Sequence, residues 1–187
     1  PMVASPGVRF NYSSGNAHLL SAILQKATKM TSLEYAQRYL FKPLGISVVE
    51  WEKNPNNVYL GGWGVKMTLE DMARFGYLYL RKGKWKDHQV IPAEWVRVSL
   101  QQHVKQTKDW AKWGYGYMWN APPDMPYATS SLIGGNRHYT YSITLIPDLD
   151  IVLVYAGLTN HNEMLQLMKT YLLPSVTPKM KHQFLQN

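Results

Sequence analysis

Cysteine is absent from this chain, so its candidate reactive side chains are hydroxyls, imidazoles, amines and carboxylates. Without thiols there is no disulfide, no zinc-thiolate site and no cysteine nucleophile. Six histidines are present, but no two lie at the spacing of metal ligands. His18, beside Leu19 and Leu20, is more simply explained as a packed or capping histidine of a helix. The sequence therefore predicts neither a metal nor an organic cofactor.

Self-contained catalytic motifs are also missing from the sequence. It has no Gly-x-Ser-x-Gly elbow, no His-Glu-x-x-His, no phosphate loop and no calcium loop. No serine has a lysine three residues later, the spacing at which a lysine activates a serine one helical turn away. These residues by themselves contain no complete catalytic centre of a known kind.

The formal net charge of +8 raises the question of nucleic-acid binding. The cations are scattered along predicted helix faces, and their densest cluster comprises Arg81, Lys82, Lys84 and Lys86. That cluster falls where a helix should end, and cations there complement the carbonyl terminus. We interpret it as a solvated turn and predict no nucleic-acid partner. No apolar run is long enough to span a bilayer, so no transmembrane segment is predicted.

Helical periodicity dominates the first part of the chain. Apolar residues recur at helical spacing over 17–29. Thr31 and Glu34 have the spacing of a capping box, which predicts a second helix running to about Phe41. The proline and glycine in 43–45 are expected to stop that helix, because proline cannot continue the hydrogen-bond ladder.

Two further helices are expected after an irregular stretch at 51–64. Thr68 is the predicted cap of a third helix, which ends at Gly83. Pro92 is well placed as the first residue of a fourth, because its missing N–H would have had no partner there.

Beyond residue 113 the pattern changes to short aromatic and β-branched runs, which predicts a sheet. The candidate strands are 115–119, 130–135, 139–146 and 151–156. Their close succession predicts antiparallel pairing, with a turn at 147–150 and a last helix at 162–173 that packs on the sheet. The predicted fold class is α+β, with a mainly helical domain portion over 1–112 and an antiparallel sheet plus a final helix over 113–187.

A series of short phrases runs through the sequence in a fixed order. They are Pro6-Gly7-x-x-Phe10-x-Tyr12-Ser13, Leu40-Phe41-x-Pro43-Leu44-Gly45-Ile46, Gly61-Gly62, Asp71-Met72-Ala73-Arg74-Phe75-Gly76, Ile91-Pro92-x-Glu94-Trp95, Gly114-Tyr115-Gly116-Tyr117-x-Trp119 and Ile146-Pro147-Asp148-Leu149-Asp150. The series resembles the second half of beta-lactamase-related serine hydrolases, which include class C beta-lactamases, penicillin-binding proteins, family VIII esterases and 6-aminohexanoate-dimer hydrolases. The resemblance implies a beta-lactamase/transpeptidase-like fold whose amino-terminal part is missing from these residues.

Tyr12 stands where that family has the tyrosine of a Tyr-x-Asn motif. The resemblance implies that its phenol relays a proton from the nucleophilic serine to the leaving group. Ser14 replaces the asparagine, whose side chain contacts the substrate amide in the family, and Asn16 is a candidate substitute. Read from the residues alone, a buried tyrosine flanked by Phe10 would more often be structural.

Leu132, Ile133 and Gly134 stand where the family has Lys-Thr-Gly on an edge strand of its sheet. The N–H of the next residue, Gly135, would then supply half of an oxyanion hole, because a fixed backbone donor suits the charge that develops on the carbonyl oxygen. A glycine pair also allows close approach of substrate to the backbone. The alternative is an ordinary strand end or bulge.

Leu132 affects the expected substrate. In the lactamases the lysine of this motif helps to bind the antibiotic's carboxylate, which leucine cannot do. The resemblance therefore implies a small-molecule ester or amide substrate, rather than efficient beta-lactam hydrolysis. Arg137 or His138, close by in the sequence, could supply a replacement charge.

The family's nucleophile lies in a Ser-x-x-Lys motif, which this chain lacks. We therefore expect an acyl-enzyme serine hydrolase whose missing amino-terminal portion supplies the serine, and an isolated chain that is inactive and exposes an apolar face. The alternative is a catalytically inactive, penicillin-binding-like module that binds peptide or cell-wall ligands. The compartment is undetermined, although the resemblance favours export.

Overall fold

The structure is a computed structural model, and the chain forms two compact units, Pro1–Val96 and Arg97–Asn187. The predicted domain division after residue 112 remains a prediction. The residues that the structure describes are 5, 8, 10–47, 50–105, 114–121, 128–133, 140–157 and 161–176.

Helix α1 (Ser14–Thr28) packs on the first unit through its small residues. Ala17 and Ser21 are buried, and Ser21 Oγ donates a hydrogen bond to Tyr59 O at 2.7 Å. Three of the four larger apolar residues of the helix, Leu19, Leu20 and Ile23, are 52–59% exposed, and Leu24 is half-buried. The side of α1 that is fixed to the unit is therefore its small-residue side, and the predicted apolar stripe is largely open.

Helix α2 (Ser32–Ala36) begins with the capping box that the sequence predicts, which is confirmed. Glu34 N donates to Thr31 Oγ1 at 3.3 Å, and Thr31 N donates to Glu34 Oε2 at 2.7 Å. These bonds satisfy donors that the start of a helix leaves unpaired. The bond from the Thr31 backbone is also the main reason why the pKa of Glu34 lies below its ordinary value.

The prediction that Pro43 helps to stop this helix is wrong. The helical path continues through a π-helical turn (Gln37–Phe41) into α3 (Lys42–Leu44). Pro43 lies directly after the π-helical turn, in a backbone that stays helical through Phe41 and Lys42. The path ends at Gly45, whose φ of +66° glycine adopts readily.

Helix α4 (Leu69–Leu80) begins at Thr68, as predicted, and Thr68 Oγ1 accepts from Asp71 N at 3.1 Å. Asp71 is 3% exposed and forms an ion pair with Arg74 at 2.5 Å. Arg74 also donates to Gly45 O at 3.1 Å, which fastens α4 to the end of α3. The apolar core of this unit forms around Phe41, Leu44, Ile46 and Leu78.

Two small hairpins complete the first unit. Strand β1 (Glu50–Trp51) pairs with β2 (Val65–Lys66), and β3 (Lys84–Trp85) pairs with β4 (His88–Gln89). Helix α5 (Ala93–Leu100) follows Pro92 directly. Its start therefore agrees with the predicted fourth helix to within one residue.

The second unit contains an antiparallel sheet of six described strands in the order β10-β9-β8-β7-β6-β5. The strands are β5 (Val104–Lys105), β6 (Gly114–Tyr115), β7 (Asn120–Ala121), β8 (Ala128–Ile133), β9 (Thr140–Ile146) and β10 (Ile151–Gly157). The predicted antiparallel pairing is confirmed for the three long strands.

The single strand predicted over 115–119 is wrong. The chain there forms strand β6, a turn and the start of β7, with Gly116 N donating to Trp119 O at 2.8 Å. Met118 has a φ of +64°, which no strand residue adopts. A run rich in aromatic residues is typical of a strand, and its composition gives no indication of this turn.

The carboxyl-terminal helical segment packs on the sheet, as predicted. It comprises α6 (His161–Leu167), a π-helical turn (Met168–Leu172) and α7 (Leu173–Val176). The buried cluster beneath it is formed by Ile146, Met164, Met168 and Leu173. None of the helices in the described ranges has the length and apolar character that crossing a bilayer requires.

Candidate active site

Tyr12 and Ser14 meet in front of helix α1. Ser13 is the N-cap residue in an extended conformation, with φ −150° and ψ 114°. Tyr12 is 63% exposed, and Ser14 Oγ donates to Tyr12 Oη at 3.5 Å. That distance is long for a bond between two hydroxyls. The hydrogen bond between Ser14 and the Tyr12 hydroxyl is therefore weak, and this hydroxyl is accessible to another reactant.

Asn16 is exposed on α1, two residues after Ser14. Because each helical residue turns the chain by about 100°, the directions of the two side chains differ by about 200°. The structure brings Tyr12 and Ser14 together and directs Asn16 to another side of the helix.

Gly61 and Gly62 bring a loop against the first turns of α1. A Cβ at Gly61 would lie 2.1 Å from Ala17 O, and a Cβ at Gly62 would lie 3.0 Å from Ser14 O. Both neighbours are backbone atoms, which cannot move aside as a flexible side chain can. Position 61 therefore requires glycine for close packing, and this packing positions the loop beside Ser14.

A second contact between this loop and α1 is a hydrogen bond between Asn54 and His18. Asn54 Nδ2 lies 2.9 Å from His18 Nε2. Asn54 Oδ1 accepts the backbone N–H groups of Asn56 and Val58, each at 3.0 Å. One amide side chain thus orders its own loop and attaches that loop to α1. His18 is half-buried and bonded, as expected for a packed histidine.

Trp63 follows the glycine pair and is 42% exposed. The ideal Cβ of Gly62 is 3.3 Å from Ser14 Cα. Consecutive Cα atoms lie about 3.8 Å apart, so Trp63 is attached within a short reach of Ser14. Trp63 is therefore a partly exposed residue that directly follows a glycine packed against the backbone of Ser14.

The other predicted part of the site falls at the end of strand β8. Leu132 pairs in register with Tyr141, and Ile133 pairs with Thr140, both on β9. On the other side, β7 pairs with β8 only between Asn120 and Thr129. Among the strands that the structure describes, the end of β8 therefore has a neighbour on one side only. Gly134, Gly135, Arg137 and His138 lie outside the described residues, so the roles predicted for them remain predictions.

Sequence reasoning missed two features of the site. The Asn54–His18 bond joins residues 36 positions apart, and no local pattern predicts such a contact. The sequence did contain an indication of Trp63, because this residue directly follows Gly61-Gly62 in the series of phrases that resembles the family. In the parts of the chain that are described, no group of three or more histidine, aspartate or glutamate residues could hold a metal ion.

Comparison with known proteins gives a family match over most of the chain. The family model described as Beta-lactamase matches residues 1–173. No curated protein matches the chain significantly.

Solved structures share the fold at low sequence identity. A Bacillus anthracis protein named as a candidate 6-aminohexanoate-dimer hydrolase is 20% identical, with a TM-score of 0.77 over 95% of this chain and 46% of its own. A Mycobacterium bovis beta-lactamase is 16% identical, with a TM-score of 0.67 over 95% of this chain and 65% of its own. A class C beta-lactamase variant with tyrosine replaced by phenylalanine is 13% identical, with a TM-score of 0.59 over 86% of this chain and 56% of its own.

These likenesses confirm the predicted fold class, an α+β fold of the beta-lactamase/transpeptidase type. The chain spans 46% to 65% of the length of these three structures.

Proposed function

The chain belongs to the beta-lactamase family, and from that membership we propose that it supplies the proton-transfer tyrosine and one oxyanion donor of a serine hydrolase. The proposed reaction is acyl transfer from a neutral ester or amide through a covalent acyl-serine intermediate. Since the chain has no Ser-x-x-Lys, the proposal requires a nucleophilic serine from residues outside these 187.

In the proposed reaction, the serine oxygen attacks the substrate carbonyl carbon while the phenolic oxygen of Tyr12 takes the serine proton. The tetrahedral oxyanion accepts a hydrogen bond from Gly135 N–H. The bond to the leaving group then breaks, and Tyr12 returns the proton to that group. Water next attacks the acyl-serine, and the acid product and the free serine are released.

The observation that carries the proposal is the exposure of Tyr12 in front of α1. Buried tyrosines in cores bond through their hydroxyl to fixed partners, whereas Tyr12 is 63% exposed, and among the described residues its hydroxyl has a long contact from Ser14 at 3.5 Å. A phenol that relays protons needs this access, because its oxygen must reach two different reactants in turn. The loop with Gly61 and Gly62 packs against the backbone of Ala17 and Ser14 in the first turns of α1.

The end of β8 supports the oxyanion part of the proposal. Leu132 and Ile133 pair with β9 on one side, and the described part of β7 does not extend alongside them. A strand edge of this kind presents backbone N–H groups that a substrate carbonyl can approach. Gly135 would continue this edge two residues beyond Ile133.

A neutral substrate with an apolar group fits the side chains available. Leucine at 132 offers no charge to a substrate carboxylate, and Ser14 is an uncharged polar group. Trp63, partly exposed, follows the glycine that packs against Ser14. We therefore assign Trp63 to the contact with the apolar part of the substrate.

The test uses the full-length protein with an activated ester and a fluorophosphonate probe. Tyr12→Phe removes the proton-transferring oxygen and should lower kcat for the ester by about 100-fold or more. Tyr171→Phe is the matched control, because Tyr171 is also strongly exposed and lies in the other unit. Equal kcat values for the two variants would refute the role of Tyr12, and an unreactive wild-type protein would refute the hydrolase proposal.

A second candidate function is a catalytically inactive binding module. Two departures from the family motifs favour it, Ser14 in place of asparagine and Leu132 in place of lysine. Such a module would bind peptide or cell-wall fragments, and Tyr12→Phe would not change that binding. Retained ligand binding by a wild-type protein that forms no covalent adduct would support this function over hydrolysis.

A further inference from the structure

A basic patch, defined by Arg81, Lys82, Lys84 and Lys86, surrounds the end of α4 and the β3–β4 hairpin. All four side chains are exposed. Over 81–88 these four cations accompany one carboxylate, that of Asp87, so the segment has a net charge of +3 with its histidine neutral. Within the described structure, no ion pair involves the three lysines.

The end of α4 does not need the lysine side chains as hydrogen-bond donors. The carbonyls of Tyr77, Leu78 and Tyr79 accept from the backbone N–H groups of residues 81, 83 and 82, at 2.8–3.0 Å. The carbonyl of Lys82 accepts from Gln89 Nε2 at 2.8 Å. Backbone and amide donors thus complete this turn, and the ammonium groups remain in solvent.

Two lysines of the basic patch occupy unfavourable backbone positions. Lys82 has a φ of +54° and Lys86 a φ of +52°. Glycine and asparagine adopt this left-handed region more easily than lysine does. Within the described residues neither ammonium group makes an ion pair that offsets the cost, so lysine at these positions has no evident local benefit to folding.

Aromatic rings flank the basic patch. Tyr77 is 40% exposed, Arg81 Cζ lies 4.8 Å from the centre of its ring, and Trp85 meets that ring edge-on at 5.7 Å. Arginine therefore covers a face of Tyr77, which leaves less open ring surface for stacking on nucleic-acid bases. Amphipathic rings next to lysines instead suit the boundary between lipid headgroups and water.

We propose that the basic patch docks the protein onto an anionic phospholipid surface. In the docked state the three lysines and Arg81 lie near headgroup phosphates, and the exposed ring of Tyr77 lies at the level of the headgroups, backed by Trp85, which packs on the core of the first unit. Charge complementarity carries this assignment, since each cation near such a surface favours the bound state by about fivefold. The docking is independent of the hydrolase proposal, because none of these residues belongs to the candidate active site.

The test is sedimentation of the full-length protein with vesicles of phosphatidylcholine alone or mixed with phosphatidylglycerol. Replacing Lys82, Lys84 and Lys86 with glutamine should weaken binding to the anionic vesicles on the order of 100-fold. The matched control replaces Lys26, Lys29 and Lys42, which are also exposed, and should weaken binding only slightly. Added salt should release the wild-type protein.

Three outcomes would overturn the proposal. The first is an equal loss of vesicle binding in the two triple variants, and the second is equal binding of the wild-type protein to neutral and anionic vesicles. The third is binding to a single-stranded oligonucleotide that depends on the basic patch, without binding to vesicles. A further measurement separates docking from a structural role of the turn. Lys82→Asn with Lys86→Asn should raise the melting temperature and weaken vesicle binding, whereas unchanged vesicle binding would contradict the proposal.

Discussion

Asn54 Nδ2 and His18 Nε2 lie 2.9 Å apart and join an ordered loop to helix α1. The direction of this bond follows from the other side of the amide, because Asn54 Oδ1 accepts two backbone N–H groups. The nitrogen of the amide therefore donates and His18 Nε2 accepts. The other ring nitrogen of His18, Nδ1, is buried without a hydrogen-bond partner among the described residues.

Removing the Asn54 side chain should destabilise the protein. Asn54→Ala leaves the N–H groups of Asn56 and Val58 without their acceptor, and we expect the free energy of unfolding to fall by about 1–3 kcal/mol. Urea unfolding of the full-length protein measures the change. Asn56→Ala is the control, since the side chain of Asn56 is exposed, and its effect should stay within about 0.5 kcal/mol. A similar loss in both variants would contradict the role of Asn54.

Glycine is required at position 61 and not at position 15. Gly61→Ala places a Cβ 2.1 Å from Ala17 O. We expect the free energy of unfolding to fall by about 1–3 kcal/mol or more, because the loop must move away from α1. Gly15→Ala lies within α1, and its nearest neighbour is a side-chain oxygen at 3.3 Å. The free energy of unfolding of Gly15→Ala should rise by up to about 1 kcal/mol, because alanine has a higher helix propensity than glycine. Thermal unfolding of both variants tests the pair, and a stabilising Gly61→Ala would show that the loop does not pack as closely as described.

Trp63 should determine the preference for apolar acyl groups, if the proposed hydrolysis is correct. Trp63→Ala should lower kcat/KM for a long-chain or aromatic ester by about 10-fold, mainly through KM, and leave acetate hydrolysis nearly unchanged. Trp63→Phe should restore much of the preference. Trp95→Ala is the control, because Trp95 has a similar exposed fraction. Parallel losses on short and long esters would remove Trp63 from the substrate contact without affecting the hydrolase proposal.

The capping box predicts a stability change at acidic pH. The bond from the Thr31 backbone holds the pKa of Glu34 below its ordinary value of 4.5. A carboxyl whose pKa is lower in the folded state stabilises that state above pH 4.5, and this contribution is lost as the pH falls through the folded pKa. Glu34→Gln should therefore flatten the pH dependence of the melting temperature below pH 4.5. An unchanged slope would indicate that Glu34 titrates alike in the folded and unfolded states.

Local chemistry made several elements predictable from the sequence. Thr31 and Glu34 start a helix because their side chains satisfy backbone donors a few residues away, and the same holds for Thr68. The turn between β9 and β10 depends on Pro147 and Asp150, again within one short segment. The π-helical turn that accommodates Pro43 was not predictable, because it depends on how the whole helical segment packs.

The sequence by itself determined the helix caps at Thr31 and Thr68 and the antiparallel order of the long strands, since each depends on residues close together in the chain, and the family resemblance singled out Tyr12 as a candidate. Only the tertiary structure decided that Tyr12 is exposed and touched by Ser14, that Asn54 holds His18, and that the small face of α1, not its apolar stripe, packs on the first unit. These outcomes depend on backbone segments that approach closely across long stretches of sequence. Gly61 is the clearest example, because glycine is required there only since the backbone of Ala17, 44 positions earlier in the sequence, packs against it.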